Sequence, residues 1–199
     1  MNFLAHSLIS FEIDAKTNQQ TLYGNFSGDF YKGLIHNLDL ADDLKSGVVL
    51  HRLIDKICDR QASLTARLLR DSFGLYKGIV SDIMIDHFLA KNFQSLFGKD
   101  LNAIQSKIFQ QINQHRAIFP ENFMPMFNWL ETRNALSSYA DLVFLEKVFL
   151  GMSSRVKKGE ILRNAVSEIQ KNYTLLEEMS IKEFFIVKER AIQEFSKIL

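Results

Sequence analysis

The sequence contains very little of the residue types that most strongly break or cross-link a fold. Its 199 residues include one cysteine, two prolines and nine glycines. With Cys58 as the single cysteine, an intramolecular disulfide framework is excluded, which fits a reducing cytoplasm. Turn dipeptides are few, and alternating runs of Val, Ile and Thr are nearly absent, so strands have little support. These scarcities favour a helical protein.

Long apolar runs and an excess of charge are also missing. No stretch approaches the roughly 20 apolar residues that span a bilayer. Residues 1–10 lack a basic leader, and His6 interrupts their apolar run, so we expect no signal peptide. The net charge of +1 gives no support for nucleic-acid binding. We therefore expect a cytoplasmic protein that binds neither membrane nor nucleic acid. Its oligomeric state is not indicated.

Apolar residues recur at helical spacing along almost the whole chain. The predicted helices are 26–35, 41–58, 62–72, 76–96, 101–117, 123–135, 138–153, 159–176 and 181–197. The polar segment 14–23 is predicted to be a loop, and Ser180 with Glu183 forms a capping-box pattern before the last helix. No repeat or long linker divides the chain, which predicts one all-α domain, a helical bundle over residues 1–199.

Two of these helices carry charged residues among apolar ones. His51 and Asp55 lie one turn apart within the apolar stripe of helix 41–58. A buried charge needs a partner, and a metal ion is one such partner. A hydrogen-bonded His–Asp pair, assisted by Arg52, would explain this helix equally well.

Helix 76–96 is apolar nearly all round, yet it contains Asp82, Asp86 and His87. The two acids, one turn apart, repel each other unless a cation or donor intervenes. If this helix packs beside helix 41–58, histidines and carboxylates converge in a set that suits Mn²⁺, Fe²⁺ or Zn²⁺.

Two residues nearer the start have simpler interpretations. Asp29, in "YGNFSGDFYKG", is expected to cap or open a helix, and the glycines around it would let backbone approach a ligand. His6, a lone histidine in "NFLAH", reads as a core residue whose hydrogen bonds are satisfied.

Four blocks of the sequence resemble the acyl carrier protein phosphodiesterase family. They are "MNFLAH" at the start, "GNFSGDFYKG" at 24–33, "GVVLHRLID" at 47–55 and "DIMIDHFLAKNF" at 82–93, in the family's order and approximate spacing. "GMSSR" at 151–155 is similar to the family's C-terminal helical region. The chain departs after Asp59, where the family tends towards His-Pro and this sequence has Arg60 and Gln61.

The resemblance implies a helical fold related to the HD-domain phosphohydrolases. It also implies hydrolytic removal of 4′-phosphopantetheine from holo-acyl carrier protein with a divalent metal. Mn²⁺ is the first choice, and Fe²⁺, Mg²⁺ and Zn²⁺ are alternatives. The matching positions that would hold the metal are Asp29, His51, Asp55, Asp86 and His87. Asp29 and Asp82 are the implied catalytic carboxylates, and His6 is an additional candidate.

Three basic residues, Lys32, Arg52 and Arg155, are candidates for binding the substrate. Lys32 and Arg52 could hold phosphate oxygens, and all three could attract an acidic carrier protein. A solvated helix face explains Lys32 and Arg52 equally well. Two other functions stay open, namely an HD-type phosphohydrolase of a nucleotide or small phosphate ester, and a non-catalytic helical domain that binds a partner.

Overall fold

The computed structural model describes residues 1–59 and 63–198, and these contain helices and no strand. The α-helices are α1 (Phe3–Lys16), α2 (Leu22–Phe26), α3 (Asp42–Ile57), α4 (Leu64–Leu68), α5 (Arg70–Phe73), α6 (Lys77–Lys91), α7 (Phe93–Phe97), α8 (Leu101–Gln114), α9 (Met124–Thr132), α10 (Ala135–Ser138), α11 (Leu142–Ser153), α12 (Ala165–Gln170) and α13 (Tyr173–Phe195). Short 3-10 turns occupy Gly28–Phe30, Ile35–Asn37, Gly74–Tyr76, Arg116–Ile118 and Gly159–Leu162. The all-α prediction is confirmed. Arg60 and Gln61, where the sequence departs from its relatives' pattern, lie outside the described residues.

Helix α6 lies at the centre of the fold, as its apolar sequence predicts. It packs against α1, α4 and α13. Val80, Met84, Phe88 and Leu89 are completely buried on its different faces. Because Asp86 and His87 on this helix are completely buried, they must find partners inside the protein.

The first helix is the largest departure from the sequence-based prediction. Residues 3–16 form α1, although no helix was predicted there. Its polar residues Ser7 and Ser10 are buried together with its apolar ones, so no polar face marks the helix in the sequence. The predicted helix 26–35 is wrong, because this segment contains only the end of α2, the 3-10 turn Gly28–Phe30 and the first residue of the turn Ile35–Asn37.

The last helix is longer than predicted. Residues 173–195 form a single helix, so Ser180 and Glu183 lie in its interior and do not begin it. Glu183 instead caps a different helix, α4. Its Oε2 atom accepts a hydrogen bond from Thr65 N, at the start of α4, at 2.8 Å. The Ser180 hydroxyl lies 3.3 Å from that of Thr65.

Two glycines let α2 lie directly against α3. A Cβ atom on Gly47 would lie 2.6 Å from Asn25 N, and one on Gly24 would lie 2.9 Å from Gly47 Cα. Because backbone atoms cannot move aside as a side chain can, only hydrogen fits at these positions. The close approach brings the Asn25 carbonyl within reach of His51 on α3.

No helix among the described residues is long and apolar enough to cross a membrane.

Candidate metal centre

Three charged side chains from two segments form a cluster. Asp29 lies on the 3-10 turn Gly28–Phe30, and His51 and Asp55 lie one turn apart on α3. His51 Nε2 is 3.4 Å from Asp29 Oδ1 and 3.3 Å from Asp55 Oδ2. One potential ligand atom from each residue lies within 4.8 Å of the other two. Asp29 thus belongs to this cluster and does not cap a regular α-helix.

A second histidine completes this arrangement. His6, on α1, stacks its ring on that of His51 with centroids 4.4 Å apart. Its Nε2 atom lies 3.5 Å from Asp55 Oδ1. The interpretation of His6 as an isolated core histidine is therefore incomplete, because it is buried but borders the cluster.

Asn25 binds both histidines and fixes their tautomers. Its side-chain oxygen lies 2.7 Å from His6 Nδ1, and its backbone carbonyl lies 2.8 Å from His51 Nδ1. The Asn25 amide nitrogen donates to His6 O and to Ser10 Oγ, which identifies the other atom as the acceptor oxygen. Since an amide or carbonyl oxygen can only accept, each Nδ1 carries a proton, and each Nε2 has a free lone pair whenever its ring is neutral.

A metal site requires ligand atoms with available lone pairs, and these two Nε2 atoms can provide them. Both are buried, and neither has a hydrogen-bond partner of adequate geometry. Buried polar nitrogens without partners are rare and call for an explanation. Two neutral imidazoles aimed at two carboxylates, with each Nδ1 held by an oxygen, form a ligand set that fits a divalent cation.

The electrostatics of the cluster agree with this fit. Burial and the neighbouring His51 lower the pKa of His6. Burial also opposes protonation of His51, but Asp29 and Asp55 outweigh it and raise the pKa of His51 to about 9. Burial would raise the pKa of Asp55, yet the two histidines hold it well below its usual range. Without a metal, protonated His51 is the cation that balances the carboxylates.

Asn25 was not among the residues singled out from the sequence. The signal available was an amide between Tyr23 and Phe26 in a glycine-containing block. We expect Asn25→Ala to weaken divalent-metal binding about 10–100-fold, because it frees the ring of His6. Metal affinity should be measured by competition with a chelator, with Asn37→Ala, at an exposed asparagine outside the cluster, as the matched control. An unchanged affinity of Asn25→Ala would show that Asn25 does not orient the ligands.

A cavity of about 680 Å³ adjoins the cluster. Asp29 and Asp82 are the carboxylates in its wall, and Lys147 and Arg155 are the basic residues. Its apolar lining comes from Ile79, Ile83, Pro125, Met126, Trp129, Leu130, Val148 and Met152. The cavity has the size and the mainly apolar lining of a site for a small molecule or a flexible group.

The structure does not bring Asp86 and His87, which the resemblance implied as metal ligands, into the cluster of Asp29, His51 and Asp55. Asp86 is fully buried and accepts hydrogen bonds from Leu4 N and Ala5 N, at 2.7 and 3.1 Å. It therefore caps the start of α1. Burial raises the pKa of Asp86 to about 7, and the two amides oppose that shift.

His87 has protein partners on both ring nitrogens. Its Nδ1 lies 2.7 Å from the carbonyl oxygen of Tyr139, and its Nε2 lies 2.6 Å from the hydroxyl of Tyr173. Neither nitrogen is available to a metal unless one of these bonds breaks. The role of His87 in this structure is to join α6 to the segment around Tyr139 and to α13.

We expect Asp86→Ala to lower the free energy of unfolding by about 2–4 kcal/mol, because it leaves two helix-terminal N–H groups without an acceptor. Asp86→Asn keeps one acceptor and should lose less. Denaturant unfolding measures both changes. The folded Asp86→Asn protein should still bind divalent metal, and loss of metal from it would identify Asp86 as a ligand.

Of the other predicted site residues, some line the cavity and others do not. Asp82 lines the cavity, and its Oδ1 accepts from the Met1 ammonium at 2.6 Å. Arg52 donates to the Tyr31 carbonyl at 2.8 Å, so it holds the chain just after Asp29. Lys32 is exposed and does not line the cavity, whereas Arg155 does. Lys147 is a lining residue that the sequence did not indicate.

Comparisons with known proteins agree with the resemblance. The family model described as acyl carrier protein phosphodiesterase matches residues 1–186. The acyl carrier protein phosphodiesterase of Photorhabdus laumondii is 30% identical over 176 residues, which cover 87% of this chain and 86% of that protein. That of Yersinia enterocolitica is 27% identical over 187 residues, or 90% and 91% of the two chains.

No solved structure matches the chain at a significant level, so the relation to HD-domain phosphohydrolases stays a prediction. The family itself is shown by the match over most of the chain. The chain belongs to the acyl carrier protein phosphodiesterase family.

Proposed function

We propose that this protein hydrolyses the phosphodiester that joins 4′-phosphopantetheine to a serine of holo-acyl carrier protein. The observation that carries the proposal is the pair of buried Nε2 atoms, on His6 and His51, aimed at two carboxylates beside a cavity. Family membership supplies the substrate, since the relatives are named as phosphodiesterases of acyl carrier protein.

In this proposal Asp29, His51 and Asp55 hold a divalent metal, and His6 Nε2 is a fourth ligand. Mixed imidazole and carboxylate donors favour Mn²⁺, with Fe²⁺, Mg²⁺ and Zn²⁺ as alternatives. A divalent ion here would lower the pKa of a bound water molecule and neutralise charge on a phosphate oxygen. Asn25 keeps both Nε2 lone pairs directed at the ion, because it binds both Nδ1 protons.

Hydrolysis requires a proton acceptor and a proton donor. The water oxygen attacks phosphorus, the bond from phosphorus to the serine oxygen breaks, and a proton passes to that serine oxygen. Asp29 and Asp82 are the carboxylates in the cavity wall, and we propose them as acceptors of the water proton. We do not propose Asp86 for this role, because both of its oxygens accept hydrogen bonds from backbone amides.

The cavity is the proposed place for the pantetheine arm. Its apolar walls suit a long, flexible and largely uncharged chain, and Lys147 and Arg155 can attract anionic groups at its border. Residues 1–199 would act as one catalytic domain in the cytoplasm, in carrier-protein turnover linked to fatty acid biosynthesis. The buried single cysteine fits a reducing compartment.

Metal binding should depend on pH in a direction set by His51. A histidine must be neutral to bind a metal, whereas burial of His51 is outweighed by Asp29 and Asp55, which raise its pKa to about 9. Binding near pH 7 should therefore release about one proton per ion, and affinity should rise with pH up to about 9. Calorimetry in two buffers of different ionisation enthalpy measures the proton count. Binding with no proton release would show that His51 is not a ligand.

The activity is tested by intact-protein mass spectrometry of holo-acyl carrier protein with Mn²⁺, without Mn²⁺ and with a chelator. We expect metal-dependent conversion to the apo form, together with free 4′-phosphopantetheine. If metal binds but no carrier protein changes mass, the substrate assignment is wrong, and release of phosphate from a nucleotide panel would then indicate the HD-type alternative. Persistent carrier-protein binding without turnover would indicate a non-catalytic domain.

A further inference from the structure

A second cavity lies between α1, α7, α8 and α13, and none of its lining residues lines the first cavity. Its volume is about 430 Å³. The apolar lining comes from Leu8, Phe11, Phe93, Phe97, Ile104 and Phe184. Phe93 and Phe184 are almost completely buried, while Leu8, Phe11, Phe97 and Ile104 keep part of their surface exposed. The floor is therefore part of the core, and the walls open to solvent.

The charged residues of this groove are unbalanced. Lys99, Lys107 and Lys188 line it, and Glu12 is the single acid among its lining residues. Glu12 is already neutralised, because Lys188 Nζ lies 2.9 Å from its Oε2 atom and Lys16 Nζ lies 3.0 Å from its Oε1 atom. These contacts lower the pKa of Glu12, with Lys188 as the main cause.

Two cations therefore remain without an acid. Lys107 Nζ lies 4.9 Å from the ring centroid of Phe11, over the aromatic wall of the groove. Lys99 is exposed, and across residues 1–59 and 63–198 no carboxylate lies within ion-pair distance of Lys99 or Lys107. Aromatic and aliphatic surface beside unpaired ammonium groups is complementary to a ligand with an apolar chain and an anionic end.

We propose that this groove binds a long-chain carboxylate, with the hydrocarbon chain against the phenylalanines and the carboxylate towards Lys99 and Lys107. A neutral apolar ligand would gain the burial of its chain without the ion pairs. A cationic amphiphile would meet an excess of lysines. The site goes beyond the proposed hydrolysis, because none of its residues belongs to the metal cluster.

The probe is dodecanoate below its critical micelle concentration, titrated into the full-length protein by calorimetry. We expect saturable binding of one molecule, about threefold tighter than dodecan-1-ol, because Lys99 and Lys107 are both exposed and exposed ion pairs contribute little. Dodecyltrimethylammonium should bind more weakly than either. Equal affinity for the carboxylate and the alcohol, or binding only as micelles form, would overturn the proposal.

Two variants locate the site. Ala15→Trp places a large ring at an exposed helical position that lines the groove, and it should abolish dodecanoate binding. Ala103→Trp, at an exposed position of α8 outside the lining, should leave binding unchanged. Lys107→Gln should weaken dodecanoate binding several-fold and leave dodecan-1-ol unaffected. Undiminished dodecanoate binding in a folded Ala15→Trp protein would place the ligand elsewhere.

Discussion

His51→Ala should abolish metal binding at the cluster and lower kcat/KM for holo-acyl carrier protein about a thousandfold, since a catalytic metal supplies several kcal/mol of transition-state stabilisation. His51 Nε2 lies within 3.4 Å of carboxylate oxygens of both Asp29 and Asp55, so His51→Ala removes the proposed ligand atom that contacts both acids. Metal content by elemental analysis and turnover by mass spectrometry measure the two effects separately.

His36→Ala is the matched control for this variant. His36 is exposed, lies on the 3-10 turn Ile35–Asn37, and is not a member of the cluster. It should keep both metal and activity. Thermal unfolding distinguishes loss of the site from loss of the fold. If folded His51→Ala protein keeps its metal and its turnover, the proposed ligand set is wrong.

Gly28→Ala should lower kcat/KM by about 100-fold or more, because displacements of about 1 Å in a catalytic group have effects of that size. A Cβ atom on residue 28 would lie 2.5 Å from His51 Cβ and 2.7 Å from His51 Cδ2. The imidazole cannot turn aside freely, since it stacks on His6 and its Nδ1 binds the Asn25 carbonyl. Either the ring or the turn that carries Asp29 must move.

Gly78→Ala tests whether the effect is local. Gly78 lies in α6, has ordinary helical geometry, and has open space where a Cβ would be. Alanine there should raise the free energy of unfolding by about 0.5–1 kcal/mol and leave turnover unchanged. Equal turnover of Gly28→Ala and Gly78→Ala would contradict the close packing of the Gly28 turn on His51.

The sequence predicted the helical class and α3 well, because regular apolar spacing is a local property. Helix 41–58 was predicted and Asp42–Ile57 is found, with His51 and Asp55 one turn apart as expected. Helix α1 was missed for a physical reason. Its serines are buried against other helices, so it has no polar face, and only the tertiary structure reveals why.

The residues of the candidate site were harder to predict from the sequence than the helices were. Asp86 and His87 looked like ligands because charged residues stood in an apolar helix. Three of their four partners are backbone atoms, of Leu4, Ala5 and Tyr139, which almost any residue type can supply. The fourth is the Tyr173 hydroxyl, which lies 86 residues away along the chain. A sequence pattern therefore cannot separate a buried helix cap from a metal ligand. The sequence does not indicate the role of Asn25 for a similar reason. One of its two contacts with the histidine rings, the one with His51, is made by its backbone carbonyl.

The ligand set is tested most directly by anomalous diffraction from crystals of the protein grown with Mn²⁺. We expect an anomalous peak bound by Asp29, His51 and Asp55, with His6 Nε2 as a further ligand. Asp86 should still bind the amides of Leu4 and Ala5. A peak bound by Asp86 and His87, or one that touches neither His6 nor His51, would contradict the proposed ligand set.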